Sequence, residues 1–321
     1  MKLSPITVEP NKKPIYLSHH AVLRTDSTTS PLKVVFNASS KTTNGTTLND
    51  HMYVRPQILP ELLDIILRWR MHVVALRADA EKMFRQILVT PEQTHLQRIL
   101  WQQPNKNEVE SFDLITVTYK TVPAPFLANR VLKQLGDDES TQFPSAADVL
   151  RRNIYVDDLF TGTNSIPEAR QLQEQLRLLL KAGGFNLRKW ASSHPGAWES
   201  VDTPRLAKNT TLKLNYDETV KVLGIYWNIS QDSFQFNVQT GPQGGTTKRE
   251  ILSSIAKIFD SVSRLTPTTI SAKIMMQELW ITGIDWDETG PDEIITPWSQ
   301  SLQSVSRPTT AENSSTHQLD N

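Results

Sequence analysis

Hydrophobic residues recur along this chain in two rhythms. From Pro60 to Trp69, Leu62, Ile65, Ile66 and Trp69 fall three or four positions apart behind a proline suited to a first turn, which predicts a helix. Phe126 to Leu135, closed by Gly136, repeats that rhythm. So do Leu172, Leu176, Leu179 and Leu180, set between the capping pattern Ser165-Ile166-Pro167-Glu168 and Gly183-Gly184. Two further amphipathic stretches carry Ile251, Leu252, Ile255 and Phe259, then Ile270, Ile274, Met275 and Leu279. Short apolar or alternating runs predict strands at Ile15–Leu17, Leu32–Phe36, Val73–Ala78, Arg98–Trp101, Ile115–Tyr119, Ile154–Val156 with Leu159–Phe160, Phe185–Trp190, Val222–Trp227 and Phe234–Val238. Strand, helix, paired strands, helix, strand is the order of a split β-α-β-β-α-β sheet.

Composition narrows the class only a little. A hydrophobic fraction of 38% and a charged fraction of 21% suit a soluble globular protein with ample core. No apolar run approaches the roughly 18 residues of a membrane span, so no membrane partner is expected. The absence of cysteine excludes disulfides, thiolate zinc sites and cysteine nucleophiles. Thirty-four basic residues balance thirty-four acidic ones, so any nucleic-acid groove must come from local segregation of charge.

The chemistry concentrates in Asn153-Ile154-Tyr155-Val156-Asp157-Asp158-Leu159-Phe160. Two carboxylates between strand-forming residues read as a hairpin turning at Asp157-Asp158, where they repel each other unless a cation lies between them. A solvated turn is the alternative, because Asp is a common turn residue. Asp79 closes the apolar run from His72; alone it reads as a cap or loop acid, but on a neighbouring strand it converges on the same point. Oxygen ligands suit hard divalent cations, which serve phosphoryl transfer in pairs.

At this point the chain resembles the reverse transcriptases of BEL/Pao-class LTR retrotransposons. Tyr155-Val156-Asp157-Asp158 matches the Y-x-D-D of that family, and Ala78-Asp79-Ala80-Glu81-Lys82-Met83-Phe84-Arg85-Gln86-Ile87 matches its A-D-x-E-K-M-[FY]-R-Q-I block. Gln97–Trp101, Gly184–Trp190, Leu223–Trp227 and Ser271–Trp280 add matches in unbroken order over roughly residues 15–290. The resemblance implies an RNA-directed DNA polymerase of α+β class: a right-hand polymerase fold with a ferredoxin-like palm, split fingers and a partial helical thumb. It implies a flexible lead-in over 1–14, fingers over 15–54 and 88–123, palm over 55–87 and 124–240, thumb-like helices over 241–290 and a disordered tail over 291–321.

It further implies that Asp79, Asp157 and Asp158 hold two magnesium ions, Asp79 and Asp157 touching both, with manganese as an alternative, and that the Ala80 carbonyl completes the shell. Phe84 would lie under the incoming sugar, its alternative being a core aromatic. Lys33 would grip the triphosphate, and Leu223, Gly224, Ile225, Tyr226 and Trp227 would form the primer grip. The partners implied are an RNA or DNA template with its primer and deoxynucleoside triphosphates. RNase H and integrase domains are expected to be absent, and the intact element is expected in cytoplasmic virus-like particles. Two departures stand out: Asn37 where the family carries Asp, and Lys120 where it carries a glycine that lets backbone approach the nucleotide. They support an alternative, a catalytically inactive retroelement remnant that at most binds nucleic acid nonspecifically.

Overall fold

The computed structural model describes residues 2–4, 14–23, 32–198, 219–222, 225–229, 232–235, 245–256 and 266–305. The chain divides into two compact units, residues 1–190 with 196–210, and residues 191–195 with 211–321.

In the first unit, β1 (Lys2–Ser4), β2 (Ser18–Leu23) and β3 (Leu32–Asn37) precede α1 (Leu62–Trp69) and β4 (Val74–Ala80). β5 (Arg98–Gln102) and β6 (Val109–Asp113) follow, then α2 (Ala124–Asp138), α3 (Pro144–Arg152), β7 (Ile154–Tyr155), β8 (Asp158–Thr163), α4 (Ile166–Ala182) and β9 (Leu187–Ser192), of which residues 187–190 belong to this unit. β2 and β3 form a hairpin, and β1-β6-β5 a separate sheet. Residues 2–4 therefore pair with β6 instead of joining the expected loose lead-in. Ile115–Tyr119 is not a strand: β5 takes β6 as its partner, and Thr116 makes one isolated bridge to Leu88.

The sheet that matters for chemistry runs β7-β8-β4-β9, the strand order of the split sheet predicted from the sequence. Alternation along β4 sorts its side chains by face. Ala78 and Ala80 join Leu132, Leu150, Leu159, Leu176 and Leu180 in a core built with α2, α3 and α4. Arg77 and Asp79 belong to the other face, as does Phe160, which the register sets opposite Arg77 and which packs on Trp69 of α1 at 5.2 Å between ring centroids. Gly136 does not close α2 but lies inside it, where an added Cβ would stand 3.3 Å from the Leu150 Cβ. That close approach seats α3, a helix the periodicity does not announce.

In the second unit, β10 (Thr219–Val222), β11 (Ile225–Asn228) and β12 (Ser233–Gln235) form an antiparallel sheet. The strand expected over Val222–Trp227 is thus two strands, paired Val222 to Ile225. α5 (Lys248–Ala256), α6 (Thr266–Ile281) and α7 (Asp292–Val305) follow. α7 corrects the expectation of disorder from residue 291: Ile295 and Trp298 bury against Ile251, Met276 and Leu279, and this packing carries Pro297 within the helix. Among the described residues no helix is long and apolar enough to cross a membrane.

Candidate active site

Register brings the carboxylates together. β8 runs antiparallel to β4 with Asp158 opposite Asp79, and antiparallel to β7 with Asp158 opposite Tyr155. The turn is therefore Val156-Asp157, and Asp158 is the first residue of β8 instead of the second turn residue. Of the two turn residues only Val156 has positive φ, 56°, the pattern of a II′ hairpin, in a β-branched residue for which it is strained. The Ala80 amide donates to the Asp157 carbonyl at 2.7 Å and ties the turn to the end of β4.

Two cations attend the acids. Arg77, on the same face two residues before Asp79, sets its Nη2 2.6 Å from Asp158 Oδ1, with both side chains largely buried. Lys189 Nζ lies 3.3 Å from Asp79 Oδ2, and its side chain is 56% exposed. The next pair outward is Glu81 with Arg188, and the Glu81 amide donates to the Asn186 carbonyl at 2.9 Å, fastening the start of β9 to the end of β4. Asp157 has no ion pair among the described residues. Burial, then the neighbouring Asp158 and Asp79, push its carboxyl above the usual range. Burial raises Asp158 too, against the opposing pull of Arg77.

An oxygen-only donor set with an unpaired, charge-crowded member fits a hard divalent cation. Among the described residues no three acidic or histidine side chains are gathered closely enough to hold one; Asp158 is paired with Arg77 and Asp79 with Lys189. The raised carboxyls carry a sign. Their stabilising contribution is complete below the unfolded value near 3.8 and is lost as pH rises through the higher folded values. In EDTA, Asp157→Asn is therefore expected to gain on the unaltered chain between pH 4 and pH 7, by roughly 2–4 °C in melting temperature at the upper end. A melting difference that shrinks over that interval would refute the assignment.

The other expected residues fall elsewhere. Phe84 is half-buried against the core of the first unit. Lys33 sits on β3 with its ammonium 5.5 Å from the Tyr119 ring, so Lys33 and Lys120 share a neighbourhood through Tyr119. Asn37 accepts from the Ser39 amide at 3.1 Å. Leu223 and Gly224 lie outside the described residues. Ile225, Tyr226 and Trp227 form part of β11, where Trp227 is buried and its Nε1 donates to Asp232 at 2.8 Å. A cavity of about 320 Å³ beside the hairpin is lined by Tyr155, Val122, Phe126 and Asn129. A larger one, about 720 Å³, lies between α1, α3 and α4 and touches none of the three acids.

Lys120 keeps the backbone of a glycine, with φ at 73°, while Asn49 donates to its carbonyl at 3.2 Å and accepts from the Val122 amide at 3.0 Å. The lysine thus occupies a conformation that disfavours it. Lys120→Gly relieves that strain but frees the unfolded chain, leaving an expected gain of about 0.5–1 kcal/mol in urea unfolding. A loss beyond 1 kcal/mol would show that the side chain itself is needed there.

Arg77 and Lys189 could not be singled out from composition. Their signal is positional: one stands an even number of residues before Asp79 inside an apolar strand, the other on a strand that has to neighbour β4.

Residues 247–314 match the family described as Pao retrotransposon-like RNaseH-like domain. No curated protein matches the chain. Among solved structures, a foamy viral protease-reverse transcriptase in complex with an RNA/DNA hybrid is similar at 12% identity and a TM-score of 0.57, over 93% of this chain and 34% of that one. The foamy viral protease-reverse transcriptase dRH in complex with double-stranded DNA is similar at 12% identity and a TM-score of 0.59, over 93% and 45%. This chain therefore spans less than half the length of either. At that identity the likeness is one of fold, a mixed helix-and-sheet fold of retroviral polymerase type.

Proposed function

We propose that the first unit carries the polymerase site of a retroelement reverse transcriptase, adding deoxynucleotides to a primer 3′-hydroxyl on an RNA or DNA template. One observation carries the reading: Asp79 stands opposite Asp158 in register, with Asp157 in the adjoining turn, at one end of the β7-β8-β4-β9 sheet. The cluster of Asp79, Asp157 and Asp158 is where magnesium or manganese would be held. Bound there as a pair, such ions lower the pKa of the attacking hydroxyl and neutralise the charge of the triphosphate.

The chain's own residues do the rest. The Ala80–Asp157 backbone bond sets the height of the turn, so the carboxylates face substrate from fixed positions. Phe84 supports the sugar and favours one lacking a 2′-hydroxyl. Lys33 and Lys120 offer positive charge to the phosphates. The matched residues 247–314 enter as part of a Pol chain, without an assigned hydrolytic role. Asp287 there pairs with Arg249, and Glu250 accepts from the Thr246 and Thr247 amides.

A second reading, an inactive remnant that binds nucleic acid, is favoured by Asn37 and by the commitment of Asp158 to Arg77. Extension of a DNA primer on an RNA template, with magnesium and four deoxynucleotides, decides between them when Lys120→Gly is run in parallel. Extension by the unaltered chain supports the polymerase. Extension after reversion alone means a preserved triad behind a spoiled nucleotide pocket. Binding of template-primer without extension by either chain leaves the remnant.

A further inference from the structure

Arg77 is the oddity of β4. It is 6% exposed inside the run His72–Ala78, which is otherwise apolar after its first residue, and a buried guanidinium is retained only when it is paired. Its place is set by register. Arg77 lies opposite Phe160, and the next same-face pair toward the sheet end is Asp79 with Asp158. From there its Nη2 reaches Asp158 Oδ1 at 2.6 Å, while its Nε has no partner among the described residues. The contact that Asp79 makes differs in kind: Lys189 Nζ is 3.3 Å away on a side chain 56% exposed. A screened, flexible ammonium yields readily to a divalent ion, whereas a buried guanidinium cannot leave without stranding a charge.

We propose that Arg77 is a positioning residue whose guanidinium holds Asp158 as a permanent internal counter-ion, so that Asp79 and Asp157 are the carboxylates available to a divalent cation. This rests on the polymerase-site reading. It divides the triad unequally: Asp157 in the turn has no ion pair among the described residues, Asp79 is held by a displaceable ammonium, and Asp158 shapes the site from beneath. Arg77 then removes one of three crowded negative charges without metal, which lets the hairpin fold before any ion arrives.

The test is Mn²⁺ binding by the full chain, read from the electron paramagnetic resonance of free Mn²⁺, with circular dichroism to confirm folding. Asp157→Asn is expected to weaken binding about tenfold or more, as loss of a ligand does. The double variant Arg77→Met with Asp158→Asn exchanges the pair for neutral groups and strands no charge, and is expected to bind within about threefold of the unaltered chain. Arg77→Met alone frees Asp158 as a third ligand and is expected to tighten binding about threefold or more, a gain absent from the double variant. Should Arg77→Met fail to fold, the double variant against Asp157→Asn still decides. A double variant as weak as Asp157→Asn overturns the proposal while leaving the metal site standing. A folded Arg77→Met with unchanged or weakened binding overturns it too, reducing Arg77 to a structural pair. No retention of Mn²⁺ by the unaltered chain defeats both the polymerase-site reading and this inference.

Discussion

Asp157→Asn is expected to lower nucleotide incorporation by about 10³-fold or more, a loss of about 4 kcal/mol of transition-state stabilisation. The argument starts from charge. Asp157 is the triad member without an ion pair among the described residues, and it is crowded by Asp158 and Asp79. Asparagine keeps the shape and an acceptor oxygen but removes the negative charge that would hold a divalent ion, and with it the cation that would stabilise a developing alkoxide. The backbone should not notice, because the turn is held through the Asp157 carbonyl and the Ala80 amide, which asparagine retains. Template-primer binding should stay within about threefold, since affinity for a duplex comes mainly from phosphate contacts. Steady-state and single-turnover extension, measured beside filter binding, separates the two effects. Extension surviving within tenfold in a clean preparation would move the chemistry away from this hairpin.

Much of this arrangement is legible in the order of the amino acids, and the remainder is hidden for identifiable physical reasons. Long periodic segments declare themselves: the leucines of α4 bury as their spacing predicts, behind a Ser165 cap that accepts from the Glu168 amide. The convergence of Asp79 on the hairpin follows once both lie on antiparallel neighbours. The turn is misjudged by one residue because local preference puts Asp, not Val, in a strained position, and Val156 is held at φ 56° by the pairing on either side of it. α7 is hidden by polar composition and an internal proline, which the packing of Trp298 and Ile295 overrides. Arg77 is hidden more deeply. In sequence it is one basic residue in an apolar strand, and its role appears only when register sets Asp158 one pair away on the same face. Lys120 shows the converse, a lysine held at a positive φ that favours glycine, which nothing in its local sequence announces.

Trp69→Ala is expected to cost about 3–5 kcal/mol of stability. Trp69 is wholly buried at the end of α1 and packs on Phe160 of β8, the residue opposite Arg77 in register. Removing the indole opens a cavity between helix and sheet that surrounding side chains fill only in part. The neighbouring Leu67, on the solvent side of the same helix and 52% exposed, serves as the control. Its replacement by alanine should stay within about 0.5 kcal/mol. Urea unfolding followed by a probe in the first unit reads both, and a loss under 1 kcal/mol for Trp69→Ala would mean that α1 does not anchor this face. The change also separates packing from chemistry. At a temperature where Trp69→Ala is folded, the carboxylates still hang from β4 and β8, whose ladder runs from Val74–Thr163 to Asp79–Asp158. Residual extension per folded molecule should then fall far less than in Asp157→Asn, although the latter barely unfolds. Two variants that reverse rank between stability and activity would assign α1 to support of the sheet and the hairpin to the reaction.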